Sequence, residues 1–258
     1  MKHSICLAFG LTVICVAGLS HGSVISDLID FKDDPLQEHD SAAKDEEFGS
    51  RKKRAIGAVT ATLISAGIAA GTSLIGTTTS ALQAQTGFVV TVGIEMENYS
   101  KWLLADPRAR NHWGQIAVPP TSVKPRTKET MIAHKTGHLA TGTSGVASWR
   151  FAKGGRAYRI IVMWSVPYNQ DHYSNWLGLG IRPEQSTDPA FNDMYYRTDD
   201  SWFVKKDFYH NTNTLKFCKF GVCVSGAMGT THKPRVIVRF IPQSIDDLAI
   251  GLKDMIDG

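Results

Sequence analysis

The stretch MWSVPYNQDHYSNWLGLGI, Met163–Ile181, decides the fold. Its start completes the run RIIVMWS, Arg159–Ser165, and its end is WLGLGI, Trp176–Ile181. Both runs are rich in β-branched, aliphatic and aromatic residues, and the polar stretch after Pro167 divides them. They read as two strands and a loop. Working outward, FVVTVGI (Phe88–Ile94) and RVIVRFI (Arg235–Ile241) have the same character, while Pro119, Pro120, Pro125, Pro183 and Pro189 mark loops. No internal repeat is visible. Residues 87–242 are therefore predicted to be one mainly β domain, a β-sandwich with one or two flanking helices. One helix is expected over Asp188–Tyr196, with Asp188 as N-cap and Pro189 at the first helical position.

Upstream of this domain the chain changes character twice. Residues 1–22 read as a secretory signal peptide: Lys2 and His3, an apolar run from Ile5 to Val16, then the small residues Ala17, Gly18, Ser20 and Gly22. The run is too short to span a bilayer, which takes about 20 residues. Residues 23–54 are acidic, poor in aromatics and end in Arg51-Lys52-Lys53-Arg54. In a secretory context that tetrabasic run reads as a processing site with cleavage after Arg54, rather than as a nucleic-acid patch. Beyond residue 54 lie 21 of the 28 basic and 15 of the 24 acidic residues, a net of +6. Such a balance favours anionic surfaces, membrane headgroups included.

The next segment, 55–86, is AIGAVTATLISAGIAAGTSLIGTTTSALQAQT, without one charged residue. Ile56, Val59, Leu63, Ile64, Ile68, Leu74, Ile75 and Leu82 recur mostly every three or four positions, as one face of a helix would. Four glycines, each costing about 1 kcal/mol of helix propensity against alanine, make it awkward in water. A helix of about 30 residues is roughly 45 Å long at about 1.5 Å per residue, enough for a hydrocarbon core of about 30 Å. A resident anchor, a core helix of a soluble domain, and a helix held on the domain and released at a membrane are the three readings. The tail 243–258 carries Ile245, Leu248, Ala249, Leu252 and Ile256 at helical spacing, with Ser244 as a cap, and is expected to dock as a helical extension.

Cys218 and Cys223 are the two cysteines outside the signal peptide. In an oxidising compartment they are expected to pair around CKFGVC, two reduced thiols being the alternative. One pair makes no zinc site. Asn98-Tyr99-Ser100 is an N-glycosylation sequon. The nine histidines are scattered without ligand spacing, and no HExxH, GxSxG or P-loop motif occurs. No enzyme, metal, cofactor or nucleic-acid partner is expected.

The central stretch resembles the signature of the sea-anemone actinoporins. Ser165-Val166-Pro167-Tyr168 and Tyr173-Ser174-Asn175-Trp176 stand at the family spacing. Ala140-Thr141-Gly142, Phe191-Asn192-Asp193-Met194-Tyr195-Tyr196 and Trp102 match further positions. The precursor layout is closer to the actinoporin-like toxins of predatory snails. The resemblance implies a β-sandwich flanked by two helices, with a detachable apolar N-terminal helix. It implies a secreted pore-forming cytolysin that binds phosphocholine headgroups, sphingomyelin above all, forms homo-oligomers and inserts that helix to make cation-passing pores. It places the headgroup site on Asn111, Ser144, Ser165, Pro167, Tyr173, Phe191, Tyr195 and Tyr196. Tyr168, His172 and Trp176 become membrane-interface residues. The apolar face from Ile56 to Ile75 becomes the pore helix. Phe191 stands where the family pattern has tyrosine, and His172 where it has another aromatic. Adjacent Tyr195 and Tyr196 cannot both bury their rings on one face, whereas Trp164 and Trp176 suit core or surface equally. The rival function is a lectin-like module that binds lipid or carbohydrate without making a pore.

Overall fold

The computed structural model describes residues 69–70, 77–198 and 200–257. The expected signal peptide, the acidic segment, the Arg54 cleavage point and the pore-helix residues Ile56, Val59, Leu63, Ile64, Ile68, Leu74 and Ile75 lie outside them. Strands follow in the order β1 (Ala69–Ala70), β2 (Thr91–Asn98), β3 (Ala105–Trp113), β4 (Gln115–Val118), β5 (Thr127–His134) and β6 (Thr143–Lys153). Then come β7 (Arg156–Val166), β8 (Asn175–Pro183), β9 (Phe203–Phe208), β10 (Leu215–Lys219), β11 (Val222–Met228) and β12 (Arg235–Pro242). Helices α1 (Thr79–Gln85), α2 (Phe191–Tyr195) and α3 (Ile250–Asp257) complete the set.

The strands form the expected sandwich. The first sheet has seven strands in the order β1-β5-β2-β12-β11-β10, with β4 also on β5, and the second has five in the order β3-β6-β7-β8-β9. Alternation along each strand explains the packing. From β8, Leu177, Leu179 and Ile181 point inward to meet Val92, Ile94, Met96, Trp149, Trp164, Val224 and Val238. Trp164 is thus core. The sequence reading found four of these strands. It missed β3, ADPRARNHW, because an edge strand with one polar face and Pro107 at a bulge carries no apolar run.

A glycine admits each flanking helix. Above β2, Thr79 of α1 sits so close that a Cβ on Gly93 would lie 2.2 Å from its Cγ2. There Gln83 Nε2 donates to Thr91 Oγ1 and to the Pro234 carbonyl, each at 3.1 Å. Above β8, a Cβ on Gly178 would lie 2.9 Å from Met163 Cε and 3.2 Å from Met194 Cε of α2. Met163, Met194, Val146, Ile161, Phe191 and Phe203 form a small second core on that outer face.

Helix α2 begins later than expected. Its N-cap is Ala190, whose N–H is accepted by Asp193 at 2.8 Å. Asp188 is drawn away instead: it accepts from Ser148 Oγ at 2.5 Å and pairs with Arg159 at 3.2 Å. Cys218 and Cys223 face each other across β10 and β11 and are disulfide-bonded, as the hairpin turn Phe220-Gly221, both at positive φ, brings them opposite. The tail docks: Leu248, Ala249 and Leu252 bury against Tyr99. Ser244 caps a short 3-10 turn at Ile245–Asp247. The sequon is closed. Asn98 is fully buried, its Nδ2 donating to the carbonyls of Trp102 (2.6 Å) and Val123 (3.1 Å), so the nitrogen a glycan needs is committed. No helix among the described residues is long and apolar enough to cross a membrane.

Candidate functional site

Register builds the site. Trp113, Ser144, Ser165 and Trp176 pair in one row across β3, β6, β7 and β8. Residues in one row of an antiparallel sheet share a face, and this is the outer face, at the end of the sheet beyond α2. Of the residues expected from sequence, Ser144 and Ser165 are therefore direct neighbours. Asn111 sits one pair further along β3, opposite Gly145.

Aromatic rings close over this row. Tyr195 stacks on Phe191 (centroids 4.8 Å apart), meets Trp176 edge-on at 5.8 Å and Tyr196 at 5.1 Å. Phe191 is only 7% exposed and stacks on His112 at 4.8 Å, so it backs the cluster rather than opening to solvent. Tyr173 and Tyr196 are 65% and 73% exposed. Pro167, Tyr168 and His172 lie on the loop between β7 and β8, with Tyr168 and His172 exposed. Tyr195 has the Tyr196 and Tyr173 phenols close enough to act on its own: burial first, then those two groups, push its hydroxyl above the usual tyrosine range. It stays a donor at physiological pH.

Two polar atoms here have no partner. Ser144 Oγ and Asn111 Oδ1 are buried and accept or donate no hydrogen bond, although Asn111 Nδ2 donates to the Gly114 carbonyl at 3.1 Å. A buried polar atom left unpaired costs about 1–3 kcal/mol, a cost consistent with a ligand taking its place. Asn111 lines a cleft of about 360 Å³ with Arg110, His112 and Phe191. Tyr173 lines a second cleft, about 430 Å³, with Asp171 and Tyr209.

Sequence reasoning missed three contributors. Trp113 is 54% exposed and ends the row. Lys205 on β9 holds its ammonium 5.6 Å from the Trp176 ring and 5.9 Å from Tyr195, and donates to the Tyr195 carbonyl. It reaches there because its sheet partner is Gly178. His112, under Phe191, had no sequence signal. The expected disulfide lies away from this site, at the far end of the first sheet.

Comparisons with known proteins give the family and the fold. A family model described as sea anemone cytotoxic protein matches residues 60–238. Tereporin-Ca1 of Terebra anilis is 34% identical over 193 residues, covering 70% of this chain and all of that protein. Conoporin-Cn1 of Conus consors is 30% identical over 179 residues, covering 67% of this chain and 71% of that protein. The crystal structure of the lipid binding protein Nakanori superposes with a TM-score of 0.50 at 14% identity, over 63% of this chain and 76% of its own, a likeness of fold.

Proposed function

Because the chain belongs to the sea anemone cytotoxic protein family, the actinoporins, which are non-enzymatic pore-forming toxins, we propose that it is secreted, binds phosphocholine headgroups at the aromatic row, oligomerises and inserts an N-terminal helix. The observation that carries the headgroup assignment is the meeting of exposed rings with two unpartnered buried polar atoms. A quaternary ammonium is held by ring faces at about 0.5–2 kcal/mol each; Tyr173, Tyr195, Tyr196 and Trp176 supply them. A phosphate takes donors: the Tyr195 and Tyr196 hydroxyls, Ser144 and Ser165, and the Lys205 ammonium.

Replacing Tyr195→Ala with Tyr196→Ala tests it. Sedimentation with phosphocholine vesicles should show a loss of about 1–4 kcal/mol for two aromatic contacts, with an unchanged circular dichroism spectrum. Unchanged binding by a folded variant overturns the assignment and leaves a surface-acting, lectin-like role.

Insertion is assigned to residues 55–86, freed at their start when cleavage after Arg54 makes Ala55 the N-terminus; Ala69–Ala70, paired with β5, and α1, held over β2 by Thr79 and Gln83, leave the sandwich for the segment to enter as one helix. A helix satisfies its own backbone hydrogen bonds in hydrocarbon, and this segment brings no charge. In protein whose first residue is read as Ala55, Ile64→Lys should still sediment with vesicles but release no dye. A lysine facing lipid costs about 2.5–3.5 kcal/mol per helix, repeated in every subunit. Dye release at the wild-type rate excludes insertion of this face.

A further inference from the structure

Six of the nine histidines lie beyond residue 54: His112, His134, His138, His172, His210 and His232. All six fall at one pole of the sandwich, the pole that carries the aromatic row. His112 and His134 end β3 and β5, and the other four stand on the loops β5–β6, β7–β8, β9–β10 and β11–β12. Contacts tie these loops into one surface. His232 Nε2 lies 2.9 Å from the Tyr168 carbonyl oxygen, Asn175 Nδ2 donates to the carbonyls of Gly229 and Thr231, and the Lys135 ammonium lies 5.7 Å from the Tyr168 ring. His134 is buried against Phe88, ring centroids 4.0 Å apart; the other five are exposed. Large exposed apolar side chains share the surface: Trp113, Leu139, Tyr168, Tyr173 and Tyr209.

The charges around them are mostly of one sign. Arg110, Lys205, Lys206, Lys216 and Lys233 stand at this pole, with Lys135 buried among them, against Asp171 and Asp207, while on α2 Asp193 pairs with Arg197 at 3.8 Å. Arg235, at its edge, is taken up by Glu95 at 2.8 Å. His172 follows Asp171 and His210 comes three residues after Asp207; His138 and His232 have no carboxylate within three residues in sequence, and Lys233 follows His232. A metal does not account for the gathering: among the described residues no three His, Cys, Asp or Glu stand close enough to hold one.

We propose that this pole is a second, electrostatic binding surface for anionic lipid headgroups, switched on by mild acidification as its exposed histidines take up protons. The proposal rests on the reading that this pole faces the membrane. Imidazole is the side chain whose charge ordinarily changes between about pH 5 and 8. Each added positive charge near an anionic leaflet strengthens attachment, and a neutral phosphocholine surface gives no such gain. A surface set with rings and cations therefore reads two lipid properties: the choline group at the row and net negative charge at the loops around it.

The secreted protein is sedimented with vesicles of phosphatidylcholine alone and with about 30% phosphatidylserine, at about pH 7.5 and pH 5.5. Affinity for the anionic vesicles should rise on the order of tenfold on acidification, with less than a twofold change on neutral ones. The gain should vanish at about 1 M salt, where the Debye length is about 3 Å. The triple variant His138→Gln, His210→Gln, His232→Gln should lose most of the gain and keep neutral-vesicle binding at pH 7.5. Neutral-vesicle binding with no acid gain on anionic vesicles, or a gain undiminished in the folded triple variant, overturns this proposal and leaves the headgroup site standing. An acid gain without any phosphatidylcholine binding supports it and removes the headgroup site instead.

Discussion

The two poles of the sandwich differ in what they do with charges and with large rings. At the pole away from the aromatic row, Arg159 is wholly buried, yet every part of its guanidinium is used. It donates to Ser148 Oγ at 3.0 and 2.8 Å and to Asp106 at 2.8 and 2.6 Å, and it pairs with Glu184 and Asp188. The same pole holds Asn98 and the docked tail. At the aromatic pole, Ser144 Oγ and Asn111 Oδ1 are buried without partners, and large rings stand in solvent. Thr121 Oγ1, Arg182 Nε and Asp188 Oδ1, around the Arg159 cluster, are buried without a hydrogen-bond partner as well, so the poles differ in dense charge pairing at one end and exposed rings at the other, not in unpaired atoms.

The sharpest way to break that comparison is Arg159→Ala. Removing one member of a buried charge cluster strands the others and typically costs about 3–5 kcal/mol. A urea titration should show that loss, while vesicle binding of the protein that remains folded stays at wild-type strength. A small stability change, or a binding defect in folded protein, would show that the two poles are not separate.

Asn98→Ala comes next. Besides its two donated bonds, Asn98 Oδ1 accepts from Ser100 N at 2.9 Å and Ser100 Oγ at 2.7 Å. Four bonds vanish and the Trp102 and Val123 carbonyls lose a donor, so about 2–3 kcal/mol should be lost. Mass spectrometry of the protein expressed through a secretory pathway should also find Asn98 unmodified. A glycan there, on folded protein, would refute the closed sequon.

These examples show what the sequence made legible. Leu177, Leu179 and Ile181 alternate, so a half-buried strand at 176–181 could be read, and with three similar runs the sandwich followed. The roles of Gly93 and Gly178 could not be read, because what they admit is a helix from elsewhere in the chain. Arg159 sits within an apolar run, and its partners Asp106, Glu184 and Asp188 come from distant positions. Asn98 carried a motif that burial overrules. The signature block led to Ser165 and Tyr173, and the further match at Phe191–Tyr196 to Tyr195 and Tyr196, but Trp113 and Lys205 joined them only through strand register. The histidines looked scattered for the same reason: loops gather at a pole through topology, which leaves no spacing in the sequence.

The smallest effect concerns acid, and it sharpens the comparison by separating two pH windows. Asp106 and Asp247 both belong to the charge-paired pole. A hydrogen bond from Arg159 holds the Asp106 carboxyl below the usual range against the opposing effect of burial, and Arg108 adds to it. For Asp247 burial alone would raise the carboxyl, but Lys101 at 2.8 Å and Lys153 at 3.0 Å outweigh it and bring it below its ordinary value. A carboxylate depressed by folding contributes stability that is fully present above its unfolded value, about 3.9 for aspartate, and is lost as pH falls through the lower folded value. The loss therefore begins near pH 4, well below the window of about pH 5–8 in which imidazole charges. Thermal melting should be nearly level from about pH 7.5 to 5.5 and fall below about pH 4. Asp247→Asn should start slightly less stable at neutral pH and show a shallower acid fall, since its amide cannot titrate. If melting instead drops between about pH 7 and 5.5, acid loosens the fold in the range where the histidine pole is proposed to engage lipid, and the two poles do not act independently.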